Sequence, residues 1–354
     1  MELKTKLIIH FMPEDTIAHL DFDVLNKKAI SQPLVNDIFT ADPSAHVFNG
    51  KIYIYPSHDI EAGIPFDDLG SHFAMEDYHV LSMDHPGAEA IDHGEGLHVK
   101  NVAWAQKQMW APDAAEKDGI YYLFFPAKDR EGIFRIGVAT STSPTGPFLP
   151  QPEPIKGSFS IDPAVFKDDD GSYYMYFGGI WGGQLQRWRS GIFRKEGDGP
   201  LVHIPEDHEP ALCAKVAKLT GNLLDFTEPP KDVVIVDENG KPLLQGDNER
   251  RFFEASWMHK YNGKYYFSYS TGDTHFICYA VGDNPYGPFT YKGIVLNPVV
   301  GWTNHHSITE FEGKWYLFYH DSSLSKGVTH LRCVKVTELK HNVDGSIQTI
   351  TPYR

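Results

Sequence analysis

The sequence predicts an all-β chain folded as a five-bladed β-propeller, on three observations. Apolar positions alternate or form short runs between turn residues, Phe, Trp and Tyr make up 13% of the chain, and one strand-turn-strand phrase occurs five times. The copies run from Asn49-Gly50 to Tyr55, Asp118-Gly119 to Phe124, Asp170-Gly171 to Tyr176, Asn262-Gly263 to Ser268, and Glu312-Gly313 to Phe318.

Each copy reads as a β-hairpin, because Asn-Gly and Asp-Gly supply the positive φ angles that a tight turn between twisted strands requires. Their glycines lie 69, 52, 92 and 50 residues apart, room for a four-stranded blade each, with long insertions in two intervals. A second echo supports the repeat: Ser143 to Phe148 (SPTGPF) and Asn284 to Phe289 (NPYGPF) follow Gly119 and Gly263 at similar distances. Blades stacked around an axis bury faces that isolated hairpins leave open. An irregular β-sandwich with chance hairpins is the competing architecture, and five copies of one local pattern argue against it. The stretch from about 184 to 250 shows no internal pattern and is expected to hold the third blade's outer strands plus a loop, including the polar tract Lys231 to Arg251. The chain from 1 to 354 therefore reads as a single propeller domain with no appended β-sandwich.

Composition narrows the function. A net charge of -15 and a pI near 5.6 argue against nucleic-acid partners, which need clustered Lys and Arg to replace counterions. Cys213, Cys278 and Cys333 are odd in number and widely spaced, so neither a disulfide framework nor a cysteine metal site is expected. The apolar run Leu7 to Met12 is too short for a secretion signal, and no stretch reaches the roughly 20 apolar residues of a membrane helix. No membrane partner and a cytoplasmic location are expected; the sequence leaves the oligomeric state open.

Three of the five inner strands begin with an acid. Asp42 stands eight residues before Gly50, Asp162 nine before Gly171, and Glu254 nine before Gly263; His305 stands eight before Gly313. Inner strands of a propeller flank its central channel, so equivalent starting positions in different blades converge. Gathered carboxyls repel one another and lose water, which spreads their proton affinities and separates acid from base roles. Glycosidic cleavage uses such a pair, one carboxylate activating water while a protonated partner serves the leaving oxygen. The competing reading is that Asp-Pro and Glu-Ala merely cap turns.

At these residues the sequence resembles glycoside hydrolase family 43, particularly its β-xylosidase and α-L-arabinofuranosidase members, over nearly the whole chain. The resemblance implies that Asp42, in Ala41-Asp-Pro-Ser44, is the catalytic base. It makes Asp162, in its Asp-Pro, the residue that tunes and orients the acid, and Glu254, in Glu-Ala-Ser, the general acid. It also implies an axial Ca²⁺, coordinated largely by water, with His305 of His305-His306-Ser307 as the metal residue and His306 as its rival. Trp110, in Trp-Ala-Pro-Asp113, becomes a sugar-contacting wall and Asp113 a structural residue. Arg332 becomes a group reaching toward the sugar, and Phe73 an aromatic beside the first subsite. His58, in Ser57-His-Asp59, is read as a further substrate contact because its strand returns to the face where Asp42 starts.

The implied activity is inverting, exo-acting release of β-D-xylose from xylo-oligosaccharides or arabinoxylan-derived oligosaccharides, with α-L-arabinofuranosides as second substrates. A mainly arabinofuranoside-cleaving enzyme is the near alternative, and a non-catalytic sugar-binding propeller the alternative of another class. A retaining fructan hydrolase is disfavoured, since Thr40-Ala-Asp-Pro-Ser44 lacks the Trp-x-Asn-Asp-Pro-Asn start of such enzymes.

Overall fold

The computed structural model describes residues 19–354, so the apolar run Leu7 to Met12 lies outside the described residues. Five sheets follow one another along the chain as the blades of a propeller. Blade one is β1 (Phe39–Phe48), β2 (Lys51–Asp59), β3 (Asp77–Met83) and β4 (Ile91–His98). Blade two comprises β5 (Ala105–Lys107), β6 (Asp113–Lys117), β7 (Ile120–Asp129), β8 (Phe134–Ser141) and β9 (Leu149–Pro150). Blade three is β10 (Ala164–Lys167), β11 (Tyr173–Phe177), β12 (Lys215–Lys218) and β13 (Lys231–Asp232). Blade four holds β14 (Ile235–Val236), β15 (Glu254–Tyr261), β16 (Lys264–Ser270), β17 (Ile277–Gly282) and β18 (Phe289–Leu296). Blade five is β19 (His306–Phe311), β20 (Lys314–Asp321) and β21 (Cys333–Leu339).

All five repeated phrases form the hairpin between a blade's inner strand and its neighbour. Four turn on two residues of positive φ, as at Asn49 (52°) and Gly50 (77°). The third is wider, spanning Asp168 to Ser172 with Gly171 at its corner, because three consecutive aspartates separate the strands. The segment after β11 forms 3₁₀ turns at Trp181–Gly183 and Leu185–Trp188 before β12, and β14 leaves blade three to pair in parallel with β18.

The aromatic repeats are explained by burial on both faces of each sheet. In β7, Tyr122 and Phe124 pack toward blade three with Tyr173, Met175 and Phe177, while Tyr121, Leu123 and Phe125 pack toward blade one with Tyr55 and Tyr78. Strand alternation sends successive side chains to opposite faces, so a strand sandwiched between neighbours must be apolar throughout. Blades five and one close the ring by the same means, through Ile52, Ile54 and Leu81 against Phe318 and Val334. Backbone bonds reinforce the closure, from the Leu34 N–H to the Val334 carbonyl (2.8 Å) and from the Thr40 N–H to the Arg332 carbonyl (2.9 Å). Cys278 and Cys333 are buried as free thiols, and Cys213 is half-buried.

Candidate active site

The same local distortion opens three inner strands. Asp42 (φ 49°), Asp162 (φ 57°) and Ala255 (φ 62°) adopt left-handed backbone, and the pairing register slips between Ala41 and Ser44 and again between Glu254 and Trp257. A bulge leaves the strand bent and re-aims the side chain beside it. Asp tolerates the left-handed region better than most residues. This left-handed backbone stands where three carboxyls turn out of their sheets into one solvent-open cavity of about 640 Å³.

Asp42, Asp162 and Glu254 all face this cavity, together with Phe73, Trp110, His305 and Arg332. Seven of the eight residues singled out in the sequence thus meet at one place. His58 does not. The inward positions of β2 belong to Ser57 and Asp59, and the His58 ring bonds instead to Asp77 (2.9 Å), outside the cavity wall. Strand alternation corrects the expected substrate contact: the strand returns to the right face, but it turns Ser57 and Asp59 toward Asp42 and Arg332 and His58 away from them.

Asp42 is held as an anion. Arg332 donates to both of its oxygens, Nη1 to Oδ1 at 2.9 Å and Nη2 to Oδ2 at 3.2 Å, and the Ser57 hydroxyl donates to Oδ2 at 2.6 Å. Burial alone would raise its proton affinity, but the guanidinium charge and the hydroxyl bond outweigh burial and bring the pKa to about 2. Arg332 is itself anchored by Asp59, through Nε (2.9 Å) and Nη2 (2.8 Å), and lies 4.9 Å over the Phe73 ring. His320 accepts the Asp42 backbone N–H at Nδ1 (2.9 Å), while its Nε2 faces the Thr303 carbonyl (3.1 Å). Those partners define a neutral ring with the proton on Nε2, in keeping with burial, which lowers the His320 pKa to about 3.

Glu254 is the opposite case. Burial raises its pKa, and the Asp42 charge raises it further, to about 8. Asp162 is pushed well above the usual carboxylate range by burial and by the Glu254 and Asp42 charges. It accepts the N–H of Ala255 at 2.8 Å, which ties it to the peptide bond that follows Glu254. The cavity thus holds one carboxylate that stays ionised, Asp42, and two carboxyls held toward the protonated form, Glu254 and Asp162.

His305 precedes β19 and points between two acids, its Nδ1 3.7 Å from Asp42 Oδ1 and 3.8 Å from Asp162 Oδ2. His306 turns away and bonds the Ser268 hydroxyl at 2.6 Å. Asp113 takes the structural position expected of it, accepting from His46 at 2.7 Å and bonding Ser44 and the Val165 N–H, so that it joins blades one, two and three.

Apolar walls complete the cavity. Trp110 packs edge-on against Phe73 and donates from its indole N–H to the Phe73 carbonyl (2.8 Å). The cavity is also lined by a cluster that the sequence did not indicate: Trp181 stacks on Trp302 at 5.7 Å, and Phe253 lies edge-on to both. The Trp181-Gly182-Gly183 run was visible as a motif, since glycine beside a large aromatic marks close backbone approach; a Cβ on Gly182 would sit 2.5 Å from the Leu69 carbonyl oxygen. Nothing in the sequence pointed to Trp302 or His320.

A propeller cavity that pairs an ionised with a protonated carboxyl between aromatic walls is the site of a glycoside hydrolase. Residues 31–207 match glycosyl hydrolases family 43, and the chain belongs to that family. It is 62% identical over 325 residues to a xylosidase/arabinosidase 43A of Humicola insolens, covering 90% of this chain and 99% of that protein. It is 57% identical to a β-xylosidase of Xylanibacter ruminicola, covering 88% and 97%. Among solved structures it superposes with a TM-score of 0.89 and 66% identity on a GH43 β-xylosidase/α-arabinofuranosidase from a compost microbial metagenome, in complex with xylotriose and calcium-free, covering 92% and 98% of the two chains. A GH43_1 enzyme of Xanthomonas citri complexed with xylotriose gives 0.88 and 56%, covering 94% and 97%.

Proposed function

We propose that this protein is an exo-acting, inverting glycosidase that releases β-D-xylose from xylo-oligosaccharides and also hydrolyses α-L-arabinofuranosides. The observation that carries the reading is the split between Asp42, at about 2, and Glu254, at about 8, within one cavity. The names of the relatives and the xylotriose bound to two of them support the substrate class.

Asp42 orients a water beneath the anomeric carbon and takes its proton as the carbon–oxygen bond forms. Glu254 delivers its own proton to the departing glycosidic oxygen, and the anomeric configuration inverts. Asp162 is a positioning residue: it accepts the Ala255 N–H and so holds the strand turn after Glu254, while burial and the neighbouring charges keep its own carboxyl toward the protonated form. Arg332 keeps Asp42 aimed and ionised, and the aromatic walls receive the apolar faces of the sugar rings. Direct displacement by water requires the two carboxyls to stand roughly 6.5–9.5 Å apart.

The residues suit a calcium ion held mostly through water. His305 offers a neutral ring, because burial lowers its pKa to about 4, and acids flank it on both sides. The nearby carboxylates are already engaged by Arg332, Ser57 and the Ala255 N–H, which leaves water to fill most of the shell of a cation that favours six to eight oxygens. When bound, the ion supplies positive potential that favours ionised carboxylates around it.

One experiment tests the proposal. Nitrophenyl β-D-xyloside and α-L-arabinofuranoside are compared side by side, with and without a chelator, and the first-formed sugar anomer from xylobiose is read by NMR. Release of α-xylose supports inversion. Release of β-xylose, or no turnover of either glycoside, rejects the proposal, and unchanged turnover after thorough chelation rejects the role of calcium.

A further inference from the structure

Outside the cavity, blade one carries a cluster for which the hydrolytic mechanism has no use. His58 ends β2, and Asp77 and His79 begin β3. The pairing of Ser57 with Tyr78 sets His58 directly across from Asp77, while Asp77 and His79, two apart on one strand, share its face. His58 Nδ1 lies 2.9 Å from Asp77 Oδ1, and His79 Nε2 lies 3.5 Å from Asp77 Oδ2. One donor atom from each of the three lies within 4.8 Å of the others.

Two ligands on a tetrahedral ion, each about 2.0–2.1 Å from the metal, stand about 3.3 Å apart, so three donor atoms already within 4.8 Å of one another need only small side-chain rotations to close around one ion. The second shell is also in place. His79 Nδ1 lies 3.0 and 2.9 Å from the two oxygens of Asp92, so its proton belongs there and Nε2 turns a lone pair toward Asp77. The side chains of His58, Asp77 and His79 keep 21%, 12% and 16% of their exposure, enough for an ion to enter. The carboxylates of Asp77 and Asp92 match the charge of a divalent cation.

We propose that His58, Asp77 and His79 bind one divalent transition ion of the zinc class, with Asp92 orienting His79 and water in the fourth position. Two imidazoles and a single carboxylate suit zinc, cobalt or nickel and not calcium, so this site is chemically distinct from the cation position beside His305.

The test titrates ZnCl₂ into the chelator-treated full chain by isothermal calorimetry, with CaCl₂ saturating throughout. One tight equivalent of zinc is expected. His79→Gln and Asp77→Asn should each weaken it by roughly 100-fold or more, and Asp92→Asn by roughly 10- to 100-fold. In parallel, Co²⁺ should develop the visible absorption of a tetrahedral site, and His79→Gln should abolish it. Circular dichroism and hydrolysis of the aryl xyloside show that each variant is folded. Absence of a tight zinc equivalent in the parent chain, or one retained undiminished in folded His79→Gln and Asp77→Asn, would overturn the proposal.

Discussion

Arg332 and Asp42 are joined by two hydrogen bonds of 2.9 and 3.2 Å across the seam where the last blade meets the first. A pair 290 residues apart in sequence thus couples closure of the ring to the charge of the base. Arg332→Ala should lower kcat by roughly 10²- to 10⁴-fold, the range that a general base contributes. It should also raise the Asp42 pKa from about 2, because burial then acts without its counter-charge, and so move the acid limb of the kcat/KM profile to higher pH. Arg332→Lys should not restore the activity, since a single ammonium cannot span Asp42 and Asp59 together.

The alkaline limb belongs to the acid. Glu254 must carry a proton to act, so activity holds below about 8 and falls as pH rises through that value. Asp162 is held toward its protonated form, so Asp162→Asn exchanges one neutral group for another whose amide oxygen still accepts the Ala255 N–H, and the limb should stay near its parent position with the fold intact. The limb reports the coupled carboxyls as a set, and the pH dependence of kcat/KM on an aryl xyloside measures its position; a move of the limb by a full pH unit or more would show that Asp162 is ionised.

Glu254→Gln separates proton delivery from binding. Hydrolysis of unactivated xylobiose should fall by roughly 10²- to 10⁴-fold, while an aryl glycoside whose leaving group needs little protonation should retain more of its rate. Equal losses on both substrates would argue against a general-acid role.

Gly272 supports the cavity from behind. Its φ of +71° is one that glycine adopts freely, and a Cβ there would lie 2.1 Å from the Phe253 ring. Gly272→Ala should lose about 1–2 kcal/mol from the left-handed backbone alone, and should raise KM by displacing Phe253 from the wall beside Glu254. Chemical denaturation and steady-state kinetics read the two effects.

Blade five contains a fully buried ion pair, Lys335 to Asp321 at 2.7 Å, with the Tyr353 hydroxyl donating to the same carboxylate oxygen at 2.7 Å. Lys335→Met should destabilise the fold by about 3–5 kcal/mol, because it strands a buried carboxylate, while leaving KM close to that of the parent. Denaturant titration gives the first quantity and kinetics the second.

Much of this molecule was legible in the sequence because its physics is local and periodic. Turn glycines after Asn or Asp and aromatic strands buried on both faces repeat with each blade, so the hairpins and their number could be read directly. The acids opening three of those strands could be placed by counting back from Gly50, Gly171 and Gly263. What only the tertiary structure decided depends on partners distant in the chain. The Arg332–Asp42 contact, the neutral tautomer of His320, the Trp181–Trp302 wall and the outward turn of His58 follow from which blades become neighbours and which face each residue presents. Proton affinity is set in the same way: Asp42 and Glu254 carry the same functional group and are both buried, and the Arg332 guanidinium and Ser57 hydroxyl on the first, with the resulting Asp42 charge beside the second, make the first an anion and the second an acid.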